Sequence, residues 1–75
     1  MLEKIKDLIC NYVEVERDDI KEESRFIEDL GFNSYDFVSM LGELEEELGV
    51  TVDENDVIEI HTVGEAVKYL TDLQK

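Results

Sequence analysis

The stretch that organises this chain is Gly31-Phe32-Asn33-Ser34-Tyr35-Asp36-Phe37, which leads from a polar segment into a long amphipathic pattern. Gly31 allows the backbone to turn before that pattern begins. Asn33 is a favoured helix N-cap, and Asp36 three residues later resembles the acidic member of a capping box. The stretch therefore predicts a helix that begins at Asn33 or Ser34. If Asn33 takes the cap, the hydroxyl of Ser34 is left free.

Ser34 has no catalytic partner in the surrounding sequence. The chain has one histidine, His61, and one cysteine, Cys10, so a Ser-His-acid triad could use only His61, and nothing around it resembles a nucleophile elbow. We therefore predict no catalytic residue and a protein that is not an enzyme, with His61 an ordinary loop residue. A hydroxyl at a helix start is better suited to being modified, so Ser34 is interpreted as an attachment point. The alternative is an ordinary serine in the first turn of a helix.

The composition describes a small acidic protein. Its 75 residues include 21 acidic and 7 basic side chains, for a formal net charge of −14. We expect one domain over residues 1–75 that acts as a monomer. The charge repels nucleic acid and anionic membranes, so protein partners are expected to present basic patches. Hydrophobic residues make up 43% of the chain and recur periodically, which favours a packed fold over disorder.

Several classes of protein and site are excluded by the same sequence. A single cysteine cannot form an internal disulfide, which favours a reducing, cytoplasmic setting. No hydrophobic run approaches the roughly 20 residues that span a bilayer, so no stable membrane insertion is expected. The acidic run Asp53-Glu54-Asn55-Asp56 fails as a calcium loop, because Ile58 stands where glycine is needed and Gly64 where glutamate is needed. We predict no metal site.

The apolar spacing predicts an all-α fold, a small bundle of three main helices plus one short helix with a long first loop. The predicted bounds, in chain order, are about Leu2–Val13, Asn33 or Ser34 to Gly49, about Glu54–Ile58 after a cap at Asp53, and a fourth helix opened by the capping box Thr62-Val63-Gly64-Glu65.

The first loop, residues 14–33, is too long for a structureless connection in so small a domain, so apolar side chains must pin it. The predicted pegs are Ile20, Phe26, Ile27, Leu30 and Phe32. The core face predicted for the second helix is Phe37, Val38, Met40, Leu41, Leu44 and Leu48. The side predicted to face away from the core holds Tyr35, Ser39, Gly42 and Glu46, with Asp36 and Glu43 alongside.

The residues around Ser34 resemble the signature of the acyl carrier protein family, in which an Asp-Ser-Leu tripeptide carries 4'-phosphopantetheine on its serine. The resemblance begins with Asp29-Leu30-Gly31-Phe32-Asn33-Ser34-Tyr35 and continues into the acidic Glu45-Glu46-Glu47-Leu48. Further stretches at the family's spacing are Val50-Thr51-Val52-Asp53, Ile60-His61-Thr62-Val63 and Ala66-Val67-Lys68-Tyr69-Leu70. The resemblance therefore covers nearly the whole chain.

The resemblance implies a carrier that holds acyl intermediates as thioesters on an arm attached to Ser34, for fatty acid biosynthesis or a related pathway. A phosphopantetheinyl transferase would move the arm from coenzyme A to Ser34 with magnesium, and basic-surfaced acyl synthases and transferases would act on the cargo. Asn33 replaces the family's aspartate and Tyr35 its leucine. These departures keep open a specialised aminoacyl or polyketide carrier. An acidic helical adaptor with no prosthetic group is the alternative from another class.

Two further sets of residues follow from the resemblance. The predicted partner-binding residues are Asn33, Tyr35, Asp36, Glu43 and Glu46, although an acidic helix face is often only solvated and a lone exposed tyrosine can be plain surface. Ser39 and Gly42 stand where the family often has glutamate and methionine, which thins this surface. The residues that match the family's acyl-chain pocket are Val38, Leu44, Val57, Ile60 and Ala66, which would serve equally as core.

Overall fold

The computed structural model describes residues 1–74, which contain four α-helices. Their bounds are α1 Leu2–Tyr12, α2 Ser34–Leu48, α3 Glu54–Val57 and α4 Val63–Leu73. A single 3₁₀ turn, Arg17–Asp19, interrupts the long first loop. The described residues form no β-strand and only one isolated bridge, between Arg25 and Thr62. The predicted all-α bundle of three main helices and one short helix is confirmed.

Each predicted helix is present, and its ends follow from local backbone geometry. Helix α1 ends one residue earlier than predicted, because Val13 has the extended backbone angles φ −135° and ψ 156°. Helix α3 likewise ends at Val57, with Ile58 as its C-cap. Gly49 ends α2 as predicted, with a φ of 67° in the left-handed region that favours glycine.

One apolar core joins the three long helices and the first loop. Its most deeply buried large side chains are Ile5, Ile9, Ile20, Phe26, Met40, Leu41, Leu44, Val63 and Leu70. Helix α1 packs against both α2 and α4. The ring of Phe26 lies 5.7 Å from the ring of Phe32 and 4.9 Å from that of Phe37, so the first loop contributes to the core directly.

The first loop is hydrogen-bonded to the start of α4. The N–H of Val63 donates to the carbonyl of Ser24 at 3.0 Å, and the N–H of Gly64 donates to the carbonyl of Glu22 at 2.8 Å. A Cβ atom on residue 64 would lie 3.1 Å from that same carbonyl oxygen, so the close approach favours glycine. These bonds explain how a long polar connection keeps one position.

Two side chains predicted to be buried are exposed instead. The other four pegs of the first loop are buried, but Ile27 is 50% exposed because Phe26 takes the inward position of the turn that the two residues share. Val38 is 57% exposed because it lies at the edge of the α2 stripe, beside Phe37, which faces the core. Both predictions were wrong, and both side chains lie near Ser34.

Candidate functional site

Ser34 is the first residue of α2 and is exposed. Asn33 is the N-cap, and its Oδ1 accepts the N–H of Asp36 at 2.7 Å, as predicted. The reciprocal half of a capping box, from the N–H of Asn33 to the carboxylate of Asp36, is absent within residues 1–74. Aspartate is one methylene shorter than glutamate and does not reach back. The cap thus leaves the Ser34 hydroxyl free.

Two backbone donors at the start of α2 are open. The N–H groups of Ser34 and Tyr35 have no hydrogen-bond partner among the described residues, and both residues are exposed. A helix start carries a partial positive charge in addition to its unpaired donors. The local chemistry therefore fits an anionic phosphodiester bonded to the Ser34 oxygen.

An apolar cavity of ≈ 350 Å³ lies beside Ser34. It is lined by Ile27, Ser34, Phe37, Val38, Val57, Ile58, Ile60 and His61. Three of the residues matched to an acyl-chain pocket, Val38, Val57 and Ile60, are among them. The other two, Leu44 and Ala66, do not line the cavity, because both are fully buried in the core on the inward faces of α2 and α4.

Sequence reasoning missed four residues that line this cavity. Ile27 and Phe37 were expected only in the core, Ile58 was treated as the end of a helix, and His61 as an ordinary loop residue. Ile58 is 76% exposed and follows the last residue of α3, so an isoleucine just past a short helix was the available signal. No local pattern marked His61, because it reaches the site only through the pairing of two distant loops.

The acidic surface of α2 is uneven. Glu46 is exposed, and its carboxylate has no hydrogen bond or ion pair in the part of the chain that the structure describes. The carboxylate of Glu43 accepts the hydroxyl of Tyr12 at 2.8 Å, and this bond raises the pKa of Tyr12 above its ordinary value. Asp36 is half-buried, whereas Tyr35 is 81% exposed. Tyr35 and Glu46 are therefore the side chains of this face most open to a partner.

Both arginines of the chain are engaged elsewhere. Arg17 pairs with Glu3 at 2.8 Å and also with Asp7, which ties the 3₁₀ turn to α1. Arg25 pairs with Asp29, and the N–H of Arg25 lowers the pKa of that carboxyl by donating to it at 2.9 Å. Neither arginine neutralises the acidic surface of α2.

A second cavity, of ≈ 320 Å³, has a different character. It lies between α3 and α4 and is lined by Asp56, Glu59, Ile60, Glu65, Lys68, Tyr69 and Asp72. The hydroxyl of Tyr69 donates to Asp56 at 2.7 Å, which raises the pKa of Tyr69. Ser34 does not line this cavity, and the charged side chains of its walls suit water and ions better than hydrocarbon.

Across residues 1–74 no helix combines the length and apolar character that crossing a bilayer requires. The same residues contain no group of three or more His, Cys, Asp or Glu side chains placed to hold a metal ion.

Comparison with known proteins places these features in one family. The family model described as a phosphopantetheine attachment site matches residues 3–70. Among solved structures, the acyl carrier protein from Enterococcus faecalis is similar with a TM-score of 0.85 and 30% sequence identity, over 96% of this chain and 91% of that one. Both matches confirm the resemblance inferred from the sequence. The chain therefore belongs to the acyl carrier protein family, whose members are not enzymes but carriers with a covalently attached 4'-phosphopantetheine.

Proposed function

We propose that this protein holds acyl intermediates as thioesters on a 4'-phosphopantetheine attached to the Oγ of Ser34, for fatty acid biosynthesis or a related pathway. One observation carries the proposal. Ser34 lies both at the open start of α2 and at the edge of an apolar cavity. The prosthetic group supplies the thiol that forms the thioester, while this chain supplies the attachment oxygen, nearby backbone donors and apolar walls.

The open start of α2 supports Ser34 as the attachment point. Its hydroxyl is not used for capping, because Asn33 already accepts the N–H of Asp36. The N–H groups of Ser34 and Tyr35 can donate to phosphodiester oxygens, and the helix dipole favours that negative charge. Exposure of Ser34 also gives a modifying enzyme access.

The cavity favours an aliphatic cargo. Its walls are mainly isoleucine and valine side chains, and each methylene group moved from water into such a setting contributes about 0.8 kcal/mol. A charged aminoacyl group would lose hydration there without gaining a counter-ion from the lining residues. A specialised aminoacyl or polyketide carrier is the second candidate. Tyr35 supports it, because this exposed side chain replaces the family's leucine beside Ser34 and a changed contact residue there suits a different set of partners.

The attachment is tested by intact mass. The wild type and Ser34→Ala are incubated with coenzyme A and a broad-specificity phosphopantetheinyl transferase, with Ser39→Ala as the matched control on the same helix. We expect one phosphopantetheine on the wild type and on the control, and none on Ser34→Ala. Modification of Ser34→Ala would refute Ser34 as the site. No modification of the wild type by several transferases would favour the adaptor without a prosthetic group.

The proposed partners are a phosphopantetheinyl transferase and acyl synthases and transferases with basic docking patches. The net charge of −14 and the unpaired Glu46 support this choice, with Asn33, Tyr35, Asp36 and Glu43 completing the contact surface. Charges at the rim of an interface mainly set the association rate and its salt dependence.

The partner surface is tested by charge reversal of Glu46. We expect Glu46→Lys to slow association with the transferase at low salt, and the difference to shrink above about 0.1 M salt, where screening shortens to about 10 Å. The control is Glu14→Lys, which makes the same charge change on an exposed residue of the first loop. Equal effects of the two variants would show that net charge alone matters and that α2 is only a solvated face.

The proposed setting is a single carrier domain over residues 1–75, monomeric and cytoplasmic. Like charges that sum to −14 oppose self-association. Cys10 is a free, exposed thiol, which suits a reducing compartment.

A further inference from the structure

The apolar cavity beside Ser34 has one unused polar side chain at its edge. Of its eight lining residues, six are apolar and the other two are Ser34 and His61. The present inference rests on the proposed function, under which the Ser34 oxygen is consumed by attachment of the prosthetic group. His61 is then the one lining side chain that can hydrogen-bond a cargo in this cavity.

The backbone of His61 is held by hydrogen bonds, whereas its ring nitrogens make none to the residues that the structure describes. Its N–H donates to Oε1 of Glu65 at 3.0 Å, and its carbonyl accepts the N–H of Phe26 at 3.0 Å, so α4 and the first loop both fix its position. The imidazole is 69% exposed, and its Nδ1 lies 3.9 Å from Oε1 of Glu65, beyond hydrogen-bond distance. Neither ring nitrogen has a hydrogen-bond partner within residues 1–74.

The chemistry of a free imidazole at this position selects a class of cargo. A neutral imidazole donates from one nitrogen and accepts at the other, and a hydroxyl group can match either. A plain hydrocarbon gains nothing from His61, whereas a hydroxyl entering an otherwise apolar cavity needs a partner. We propose that His61 recognises a hydroxyl group near the thioester end of the tethered acyl chain, so that this carrier shelters hydroxyacyl cargo better than plain acyl cargo.

The test measures how well the cavity shelters each cargo. Holo protein is loaded with decanoyl or 3-hydroxydecanoyl groups, and the rate of hydroxylamine attack on each thioester is compared with that on the matching acyl-pantetheine at one neutral pH. The ratio of the two rates is the protection. We expect 3-hydroxydecanoyl to be protected about threefold to tenfold more than decanoyl, the size of one net hydrogen bond between neutral groups.

Variants of His61 separate hydrogen bonding from packing. His61→Leu should abolish the preference for 3-hydroxydecanoyl and leave decanoyl protection unchanged, while His61→Gln, which can still donate and accept, should keep it. Asn11→Leu, on an exposed position of α1, is the control. An equal loss of protection for both cargoes in His61→Leu, or an unchanged preference, would overturn the inference and leave the proposed function intact. If the wild type did not protect the decanoyl thioester, the proposed cargo cavity and this inference would both be refuted.

The contact can also be observed directly. His61 is the one histidine of the chain, so the Cε1–H signal of its imidazole in an NMR spectrum is identified without assignment. We expect this signal to shift when holo protein is loaded with 3-hydroxydecanoyl, and to shift less with decanoyl. A shift that is complete in unloaded holo protein would place the contact on the prosthetic group and would overturn the inference.

Discussion

Helices α2 and α4 both begin with an N-cap residue whose side chain accepts a backbone N–H. We call the start of α4 closed, because its early N–H groups are all hydrogen-bonded, and the start of α2 open, because two of its early N–H groups are not bonded to any residue that the structure describes. At α4 every early N–H group has an internal acceptor: Thr62 and Glu65 cap each other, Val63 donates to Ser24, and Gly64 donates to Glu22. At α2 only Asp36 is capped among the first three residues of the helix. The N–H groups of Ser34 and Tyr35 stay open within the described part of the chain.

The difference separates a structural joint from a binding site. The α4 start holds the long first loop, so open donors there would be buried without partners, which is costly. The α2 start is exposed, so its open donors cost little and can bind an anionic group on Ser34. Phe26 connects the two starts, because its N–H donates to the carbonyl of His61 just before α4 and its ring contacts the ring of Phe37 on α2.

The largest expected effect on stability comes from Phe26, which contacts both helix starts. Phe26→Ala should cost about 3–5 kcal/mol in the free energy of unfolding, because a buried aromatic ring is lost. A small domain has only about 5–15 kcal/mol in total, so the variant should be close to unfolding. The control is Ile27→Ala, whose half-exposed side chain should cost less than about 1 kcal/mol. Urea titration measures both, and similar small losses would show that the two helix starts are held independently.

The closed start is probed next through its glycine. Gly64→Ala should destabilise the protein by about 1 kcal/mol, because the new Cβ would crowd the Glu22 carbonyl that the same residue's N–H binds. Gly42→Ala, inside α2 with open space around its Cα, should instead stabilise by roughly 0.5–1 kcal/mol. Thermal midpoints of the two variants should therefore move in opposite directions. A higher thermal midpoint in both variants would mean that the backbone at Glu22 shifts easily to make room for the new Cβ.

The same two helix starts show how far the sequence alone could go. Both caps were predictable, because Asn33 with Asp36 and Thr62 with Glu65 are patterns within one turn. The bonds from Val63 and Gly64 to the first loop were not, because they join residues about forty positions apart and depend on how that loop folds.

The candidate site was predictable to a similar extent. Ser34 was singled out by its place at a predicted helix start and then by the family resemblance, and its role in attachment stays a prediction. Helical periodicity wrongly placed Val38 in the core. Periodicity identifies the apolar face of a helix, but it does not show whether a neighbouring element covers the edge of that face. The resemblance matched Leu44 and Ala66 to the pocket, because the sequence does not show how deeply these two side chains are buried in the packed core.

The carboxylate of the closed start should show a pH dependence. Donation from the N–H groups of His61 and Thr62 lowers the pKa of Glu65 in the folded state. Its stabilising contribution is therefore complete above its ordinary pKa, about 4.3, and is lost as the pH falls through the lower folded value. Glu65→Ala should lower the thermal midpoint at pH 7, and the gap to the wild type should close toward pH 3.

Asp36→Ala is the matched control for that measurement, because the carboxylate of Asp36 accepts no hydrogen bond in residues 1–74. It should lower the midpoint less than Glu65→Ala at neutral pH. If the difference in thermal midpoint between the wild type and Glu65→Ala did not change with pH, a lowered pKa of Glu65 in the folded state would be contradicted.

The smallest expected effect concerns Asn33 at the open start, where the family has aspartate. The two residues are similar as N-caps, so Asn33→Asp should keep the bond to the N–H of Asp36 and leave stability nearly unchanged. It adds a negative charge next to Ser34, where a transferase would bring its magnesium and basic side chains. We expect Asn33→Asp to accept the prosthetic group a few-fold faster, and Asn33→Ala, which loses the cap, to accept it more slowly. Transfer rates at saturating coenzyme A decide between the two roles: equal rates and equal Michaelis constants for Asn33 and Asn33→Asp would show that capping alone is sufficient.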